Sequence, residues 1–185
     1  MAGKLTLILG GARSGKSDLA ELRAAAHGGE ILFVATAVAM DDEMEARIAN
    51  HKASRPPHWK TLEAARDIAG AIQDHDGDPD VILIDCITLL ASNVFSSGAR
   101  EDPAARETGA AALRKEVEKL LETQAKSHAD WIVVSNEVGM GLVPPYPLGR
   151  VYRDALGRVN QQLAQAADEV LFMVAGLPLV LKPTQ

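Results

Sequence analysis

The eight residues Gly10-Gly11-Ala12-Arg13-Ser14-Gly15-Lys16-Ser17 limit the fold more than any other stretch of the chain. They follow the apolar run Leu5–Leu9 and lead into a helix-like segment, Lys16–Ala26. Gly10 and Gly15 permit backbone angles that a Cβ would forbid. Successive N–H groups can then turn into one concavity that suits phosphate oxygens. The N-terminus of the next helix adds its dipole. Lys16 can reach β- and γ-phosphates, and the Ser17 hydroxyl can ligate Mg²⁺. The spacing is the Walker A pattern, and a strand before it with a helix after it is the context that pattern needs.

The rest of the chain alternates in the same way. Strands are expected at Leu5–Leu9, Glu30–Ala35, Val81–Asp85, Trp131–Ser135, Val170–Val174 and Leu179–Leu181. These runs are continuously apolar, as in strands covered on both faces. Helices are expected at Lys16–Ala26, Asp41–Ser54, Ala64–Asp74, Pro103–Ser127 and Leu148–Ala167, with Pro103 suited to a first turn. Strand–helix alternation predicts an α/β fold of the P-loop NTPase type, a doubly wound, mainly parallel sheet with helices on both faces. With 185 residues and no linker rich in Gly, Ser or Pro, one domain spanning 1–185 is expected. Loops are expected at Ser92–Asp102 and Gly139–Pro147, on the edge where open α/β sheets bind ligands.

Charge and cysteine usage narrow the function classes. The net charge is −6 and no basic stripe runs along the chain, which argues against a nucleic-acid partner. Cys86 is the sole cysteine, so a disulfide within the chain and a thiolate cluster are excluded. No apolar stretch is long enough to span a bilayer, and Leu5–Leu9 is too short for a secretory h-region. A cytoplasmic protein is expected.

Two further stretches carry chemistry. Val81-Ile82-Leu83-Ile84-Asp85 is an apolar strand ending in an acid, which can assist Mg²⁺ beside a phosphate loop; an Asp capping the next element is the other reading. Asp41 to Ser54 opens with acids and closes before Pro56-Pro57, as a helix should. Glu43, Arg47 and His51 share one of its faces. That face can be a solvated one with His51 favoured near the C-terminal end of the dipole. It can also present a nucleophilic imidazole flanked by phosphate-binding cations.

Four stretches, GGARSGKS, DDEMEARIANHKASRPPHWKTLE, VILIDCITLLASN and SNEVGMGLVPPYPLGRVYRDALGRVNQQLAQAADEV, closely resemble the bifunctional adenosylcobinamide kinase/adenosylcobinamide-phosphate guanylyltransferase family of cobalamin biosynthesis. The resemblance covers nearly the whole chain in order. It implies phosphorylation of the aminopropanol hydroxyl of adenosylcobinamide with GTP or ATP. A histidine, here His51, then attacks GTP, releases pyrophosphate and holds GMP as a phosphoramidate. The GMP passes to adenosylcobinamide phosphate, giving adenosylcobinamide-GDP. The nucleotide contacts that the resemblance implies are Gly10, Gly11, Ala12, Arg13, Ser14, Gly15, Lys16 and Ser17, then Ala35, Thr36 and Ala37, then Lys52, Ala53, Ser54 and Arg55, and finally Glu63 and Asp85. Mg²⁺ would accompany the nucleotide at Ser17 and Asp85, and members of the family are homotrimers.

Other segments have plainer readings. Asn136 and Glu137 lie at the ligand edge, where they can orient a substrate group or hold a structural turn with Gly139. Tyr152, Leu156, Val159 and Leu163 form an apolar helical stripe, with Arg150, Asp154 and Arg158 on a polar face. Cys86 is expected to pack as a small buried thiol, and His58-Trp59 to anchor a short strand. The alternatives to a two-step transferase are a small-molecule P-loop kinase without guanylyl transfer and a P-loop NTPase. The switch-GTPase pattern Asn-Lys-x-Asp is absent from the sequence.

Overall fold

The computed structural model describes residues 2–38, 52, 55–96 and 103–184, with the side chains of 103–105 outside it. The chain opens with β1 (Leu5–Gly10), α1 (Lys16–His27) and β2 (Ile31–Ala35), and continues with β3 (Lys60–Glu63), α2 (Ile68–Gln73) and β4 (Val81–Asp85). Then come α3 (Ile87–Ser96), α4 (Pro103–Gln124), β5 (Asp130–Asn136), α5 (Pro147–Ala166), β6 (Glu169–Val174) and β7 (Leu177–Lys182). The expected helix Asp41–Ser54 falls almost wholly outside the described residues.

The described strands form one seven-stranded sheet in the order β3-β2-β4-β5-β1-β6-β7. All neighbours pair in parallel except β6 and β7, which are antiparallel. The expected α/β sheet with helices on both faces is therefore present. Its two faces carry separate apolar cores. Ala20 and Ala24 of α1 pack with Phe33, Leu83, Ile132 and Trp59 on one side. On the other, Leu90 and Val94 of α3, Leu113 and Val117 of α4, and Leu156 and Val159 of α5 cover Leu7, Ile84 and Val133. This two-sided burial explains why β1, β2, β4 and β5 read as continuous apolar runs.

Three sequence expectations need correction. The loop expected from Ser92 begins too early, because α3 runs through Ser96. Ile87, Leu90, Ala91 and Val94 are buried at helical spacing, so core packing overrides the breaking tendency of Ser92 and Asn93. The Ser92 hydroxyl donates to the Thr88 carbonyl one turn back. The helix expected from Ala64 starts instead at Ile68, because Asp67 sits in the left-handed region at φ 46. Finally, β7 is apolar yet exposed along its length, with Leu177, Leu179, Val180 and Leu181 all open. Among the described residues no helix is long and apolar enough to cross a membrane.

Candidate nucleotide site

β5 lies between β1 and β4, so a single strand separates the strand of the phosphate loop from the strand of Asp85. Gly10 registers with Asn136, and Ala35 registers with Asp85. The chain segments leaving β1, β2, β4 and β5 therefore emerge at one sheet edge, where doubly wound folds bind ligands. A pocket of about 360 Å³ opens there, a size suited to a small ligand.

The phosphate loop forms one wall of this pocket. Gly10 has no room for a side chain, since a Cβ would lie 2.6 Å from the Met173 carbonyl oxygen and 2.7 Å from Ser14 Oγ. Gly15 takes the left-handed φ of 90 and immediately precedes α1, whose first residue is Lys16. Lys16 is buried at 7% exposure, and its ammonium donates to the Gly11 carbonyl at 2.6 Å and to Ser14 Oγ at 3.4 Å. Burial pulls its pKa down from the ordinary value, and the neighbouring Cys86 and Asp85 act in the opposite sense.

The opposite wall holds a second cation. The Arg55 guanidinium lies over the Phe33 ring, 3.4 Å from its centroid. Its Nε and Nη1 are buried and have no hydrogen-bond partner among the described residues. Burial lowers its pKa, with Glu21, Asp85 and Glu63 raising it again. A guanidinium stacked on a ring at the pocket wall can meet a planar or tetrahedral anion there. Lys52 also lines the pocket and pairs with Glu63.

Ala12, Arg13, Ser14, Gly15, Lys16 and Ser17 line the pocket, as do Ala35, Ala37, Lys52, Arg55 and Asp85. Gly10, Gly11, Thr36 and Glu63 do not line it. Thr36 is fully buried, and its hydroxyl donates to the Cys86 carbonyl at 2.7 Å and accepts from the Cys86 N–H at 2.8 Å. It fixes the turn after β4 against the end of β2. Asn93 secures the same region, its amide donating to the carbonyls of Thr36 and Ala65. His51, Ala53 and Ser54 lie outside the described residues.

The structure adds pocket residues that the sequence pattern did not single out as nucleotide contacts: Phe33, Thr88, Leu89 and Val134, with Asn136 and Cys86 beside them. Thr88 is the most connected. Its hydroxyl accepts the Asn136 N–H at 2.7 Å and its carbonyl accepts the Tyr152 hydroxyl at 3.0 Å. From α5, Asn160 donates to the Asn136 carbonyl and accepts the Ser135 hydroxyl, so the end of β5 is held from two helices. A polar residue inside the apolar stripe of α5 was the available signal for Asn160. Glu137 accepts the Gly139 N–H, which makes it the brace of a turn.

Ser17 and Asp85 offer a hydroxyl and a carboxylate at one site. Such a donor set fits Mg²⁺ that arrives with phosphates and keeps several waters. Cys86 is buried, and burial together with Asp85 pushes its thiol up to about 12. Alkylation at pH 8 should therefore be slow in the folded protein and fast in urea, because the thiolate is the reactive form. Saturating Mg-GTP should slow it further, measured as mass gain over time. Rapid alkylation of native protein would contradict this description of the pocket floor.

The site combines a phosphate cradle with a second, cationic wall supplied from the HKxxRP stretch, and sequence comparison points the same way. Residues 6–181 match the profile of the CobU family, described as cobinamide kinase / cobinamide phosphate guanyltransferase. The chain is 41% identical to the bifunctional adenosylcobalamin biosynthesis protein CobU of Salmonella typhimurium LT2, with 96% of this chain and 99% of that protein aligned. It is 39% identical to the protein of the same name from Escherichia coli K12, over 96% of this chain and 99% of the other. It is 43% identical to bifunctional adenosylcobalamin biosynthesis protein CobP of Pseudomonas aeruginosa PAO1, over 95% of this chain and 96% of the other. Likeness of this extent, over nearly the whole of this chain and of each relative, makes the chain a member of the cobinamide kinase / cobinamide phosphate guanyltransferase family.

Proposed function

We propose that the protein is a two-step transferase of cobalamin biosynthesis. In the first step it moves the γ-phosphoryl group of GTP or ATP to the hydroxyl of adenosylcobinamide. In the second, an imidazole nitrogen of His51 attacks the α-phosphorus of GTP. A P–N bond forms, the α–β bridging P–O bond breaks, and pyrophosphate leaves. The phosphate oxygen of adenosylcobinamide phosphate then attacks the same phosphorus. The P–N bond breaks, and adenosylcobinamide-GDP is released with His51 restored.

The observation that carries this reading is the shared pocket of the phosphate loop with Lys52 and Arg55. Lys52 directly follows His51 in the chain, so the residue next to the nucleophile faces the same anion site as Lys16. Cations across the phosphates serve phosphoryl transfer generally; it is their place just after a histidine in the chain that favours nucleotidyl transfer. Lys16 and the loop N–H groups hold the phosphates, and the Arg55 guanidinium at the pocket wall offers its positive charge to the charge that develops on them. Bound Mg²⁺ would supply charge neutralisation on the phosphate oxygens, with Ser17 and Asp85 as its protein partners.

A homotrimer is the expected assembly. The outward apolar residues of β7, Leu177, Leu179, Val180 and Leu181, support association, because an exposed apolar edge strand favours pairing with another chain. A buried, unpaired thiol at Cys86 fits a cytoplasmic location.

Covalent labelling tests the mechanism. Protein incubated with Mg²⁺ and GTP labelled at the α-phosphate, then denatured, should retain label that survives alkali and is lost in acid. His51→Ala should retain none while still binding GTP. Wild-type protein that binds GTP yet retains no label would leave the kinase step alone as the activity.

A further inference from the structure

We propose that the loop of residues 139–146 is the docking platform for the apolar body of the acceptor substrate. The assignment rests on the transferase reading above and specifies where its second substrate lies. The loop carries four large apolar side chains in the open: Leu142 is 97% exposed, Met140 82%, Val143 64% and Tyr146 60%. Surface loops without a ligand are ordinarily made of polar and turn residues, and a cluster of exposed apolar side chains marks a binding surface.

The loop is braced at both ends. At its start the Glu137 N–H donates to the Gly10 carbonyl at 3.0 Å, and the Glu137 carboxylate accepts the Gly139 N–H. At its end Arg150 Nη1 donates to the carbonyls of Pro144 and Pro145 at 3.0 and 2.9 Å. Pro144-Pro145 restricts the backbone further. A braced loop that holds apolar side chains out in water is preorganised for a partner, because less conformational freedom is lost on binding.

Position selects the acceptor as that partner. Asn136 lines the nucleotide pocket, and the loop begins three residues later in the chain. Its root is tied to Gly10, the first residue of the phosphate loop. A hydroxyl that takes the γ-phosphoryl group must reach this same edge of the sheet. A corrinoid presents a broad ring whose methyl-bearing faces are apolar and whose rim carries carboxamides, with the reacting hydroxyl on a side arm. Seating that macrocycle on Met140, Leu142 and Val143 leaves the arm free to reach the phosphate loop.

The test is the double variant Leu142→Ser/Val143→Ser, compared with Leu142→Met/Val143→Ile. Three quantities are measured: the KM for adenosylcobinamide in the kinase step, the label kept from α-labelled GTP without corrinoid, and the mass in solution. The Ser variant should raise the corrinoid KM about tenfold or more, as loss of two apolar contacts predicts. Its GTP KM, retained label and mass should match wild type, and the conservative pair should restore the corrinoid KM. An unchanged corrinoid KM overturns the platform. So does a change of mass, which would make the loop a contact between copies of the chain. Wild-type protein that phosphorylates no adenosylcobinamide would overturn the transferase reading itself, a result distinct from either.

Discussion

Lys16→Met should remove both activities together, lowering kcat/KM for corrinoid phosphorylation by about 10³-fold and the label retained from α-labelled GTP to a similar degree. The reason lies in the shared pocket. Lys16 is buried under the phosphate loop, where its ammonium already meets the Gly11 carbonyl and Ser14 Oγ. Phosphate oxygens offer that ammonium a stronger, charged partner. Met keeps the aliphatic stem packed, so the effect falls on the charge and not on the loop's fold. Lys52 and Arg55 line the same pocket as the phosphate-loop residues. On the mechanism proposed above, one cradle is expected to serve γ-transfer and α-attack in turn. Isothermal titration with GTP and the two activity assays would be run on the same preparation. Label retained at the wild-type level in a kinase-dead Lys16→Met protein would show that guanylylation uses a separate nucleotide site.

Much of the fold was legible because its signals are local. A strand that is apolar on both faces, a glycine loop that a Cβ would block and an Ala-rich helix each announce themselves within ten residues or so. What was not legible depends on packing or on a single backbone angle. Ile87-Thr88-Leu89-Leu90-Ala91-Ser92-Asn93 can extend a strand, form a helix or enter a loop, and only the core beneath Leu90 and Val94 decides for a helix. Asp67 delays α2 because its side chain and backbone take a left-handed position that Asp tolerates. The insertion of β5 between β1 and β4 follows from pairing between segments far apart in the chain.

The site divides in the same way. The phosphate loop and the pocket position of Asp85 could be placed from motif and context alone, since the chemistry is carried by consecutive residues. The contributions of Phe33, Thr88 and Asn136 come from the middle of β2, the start of α3 and the end of β5, which meet only in the folded sheet. Thr36 illustrates the limit of a motif. Its neighbours Ala35 and Ala37 line the pocket, whereas its own hydroxyl is consumed by both backbone groups of Cys86.

Arg55 should prove expensive for stability and necessary for turnover. Its guanidinium is stacked on Phe33, with Nε and Nη1 buried and unmatched among the described residues. A desolvated cation without its full set of hydrogen bonds destabilises the nucleotide-free protein. Replacing it with a side chain that keeps the contact with the Phe33 ring and drops the charge should relieve that cost. Arg55→Met is therefore expected to hold or raise Tm in the absence of nucleotide, and to lower kcat/KM for guanylylation by about 10²- to 10³-fold. Arg55→Lys should recover only part of the rate, because an ammonium neither stacks on the ring nor presents a planar fork. GTP should raise the Tm of wild type more than that of Arg55→Met, by the linkage between binding and stability. The opposite pattern, a lower Tm for Arg55→Met with an unchanged GTP-induced shift, would mean that Arg55 serves the packing of β2 and not the nucleotide.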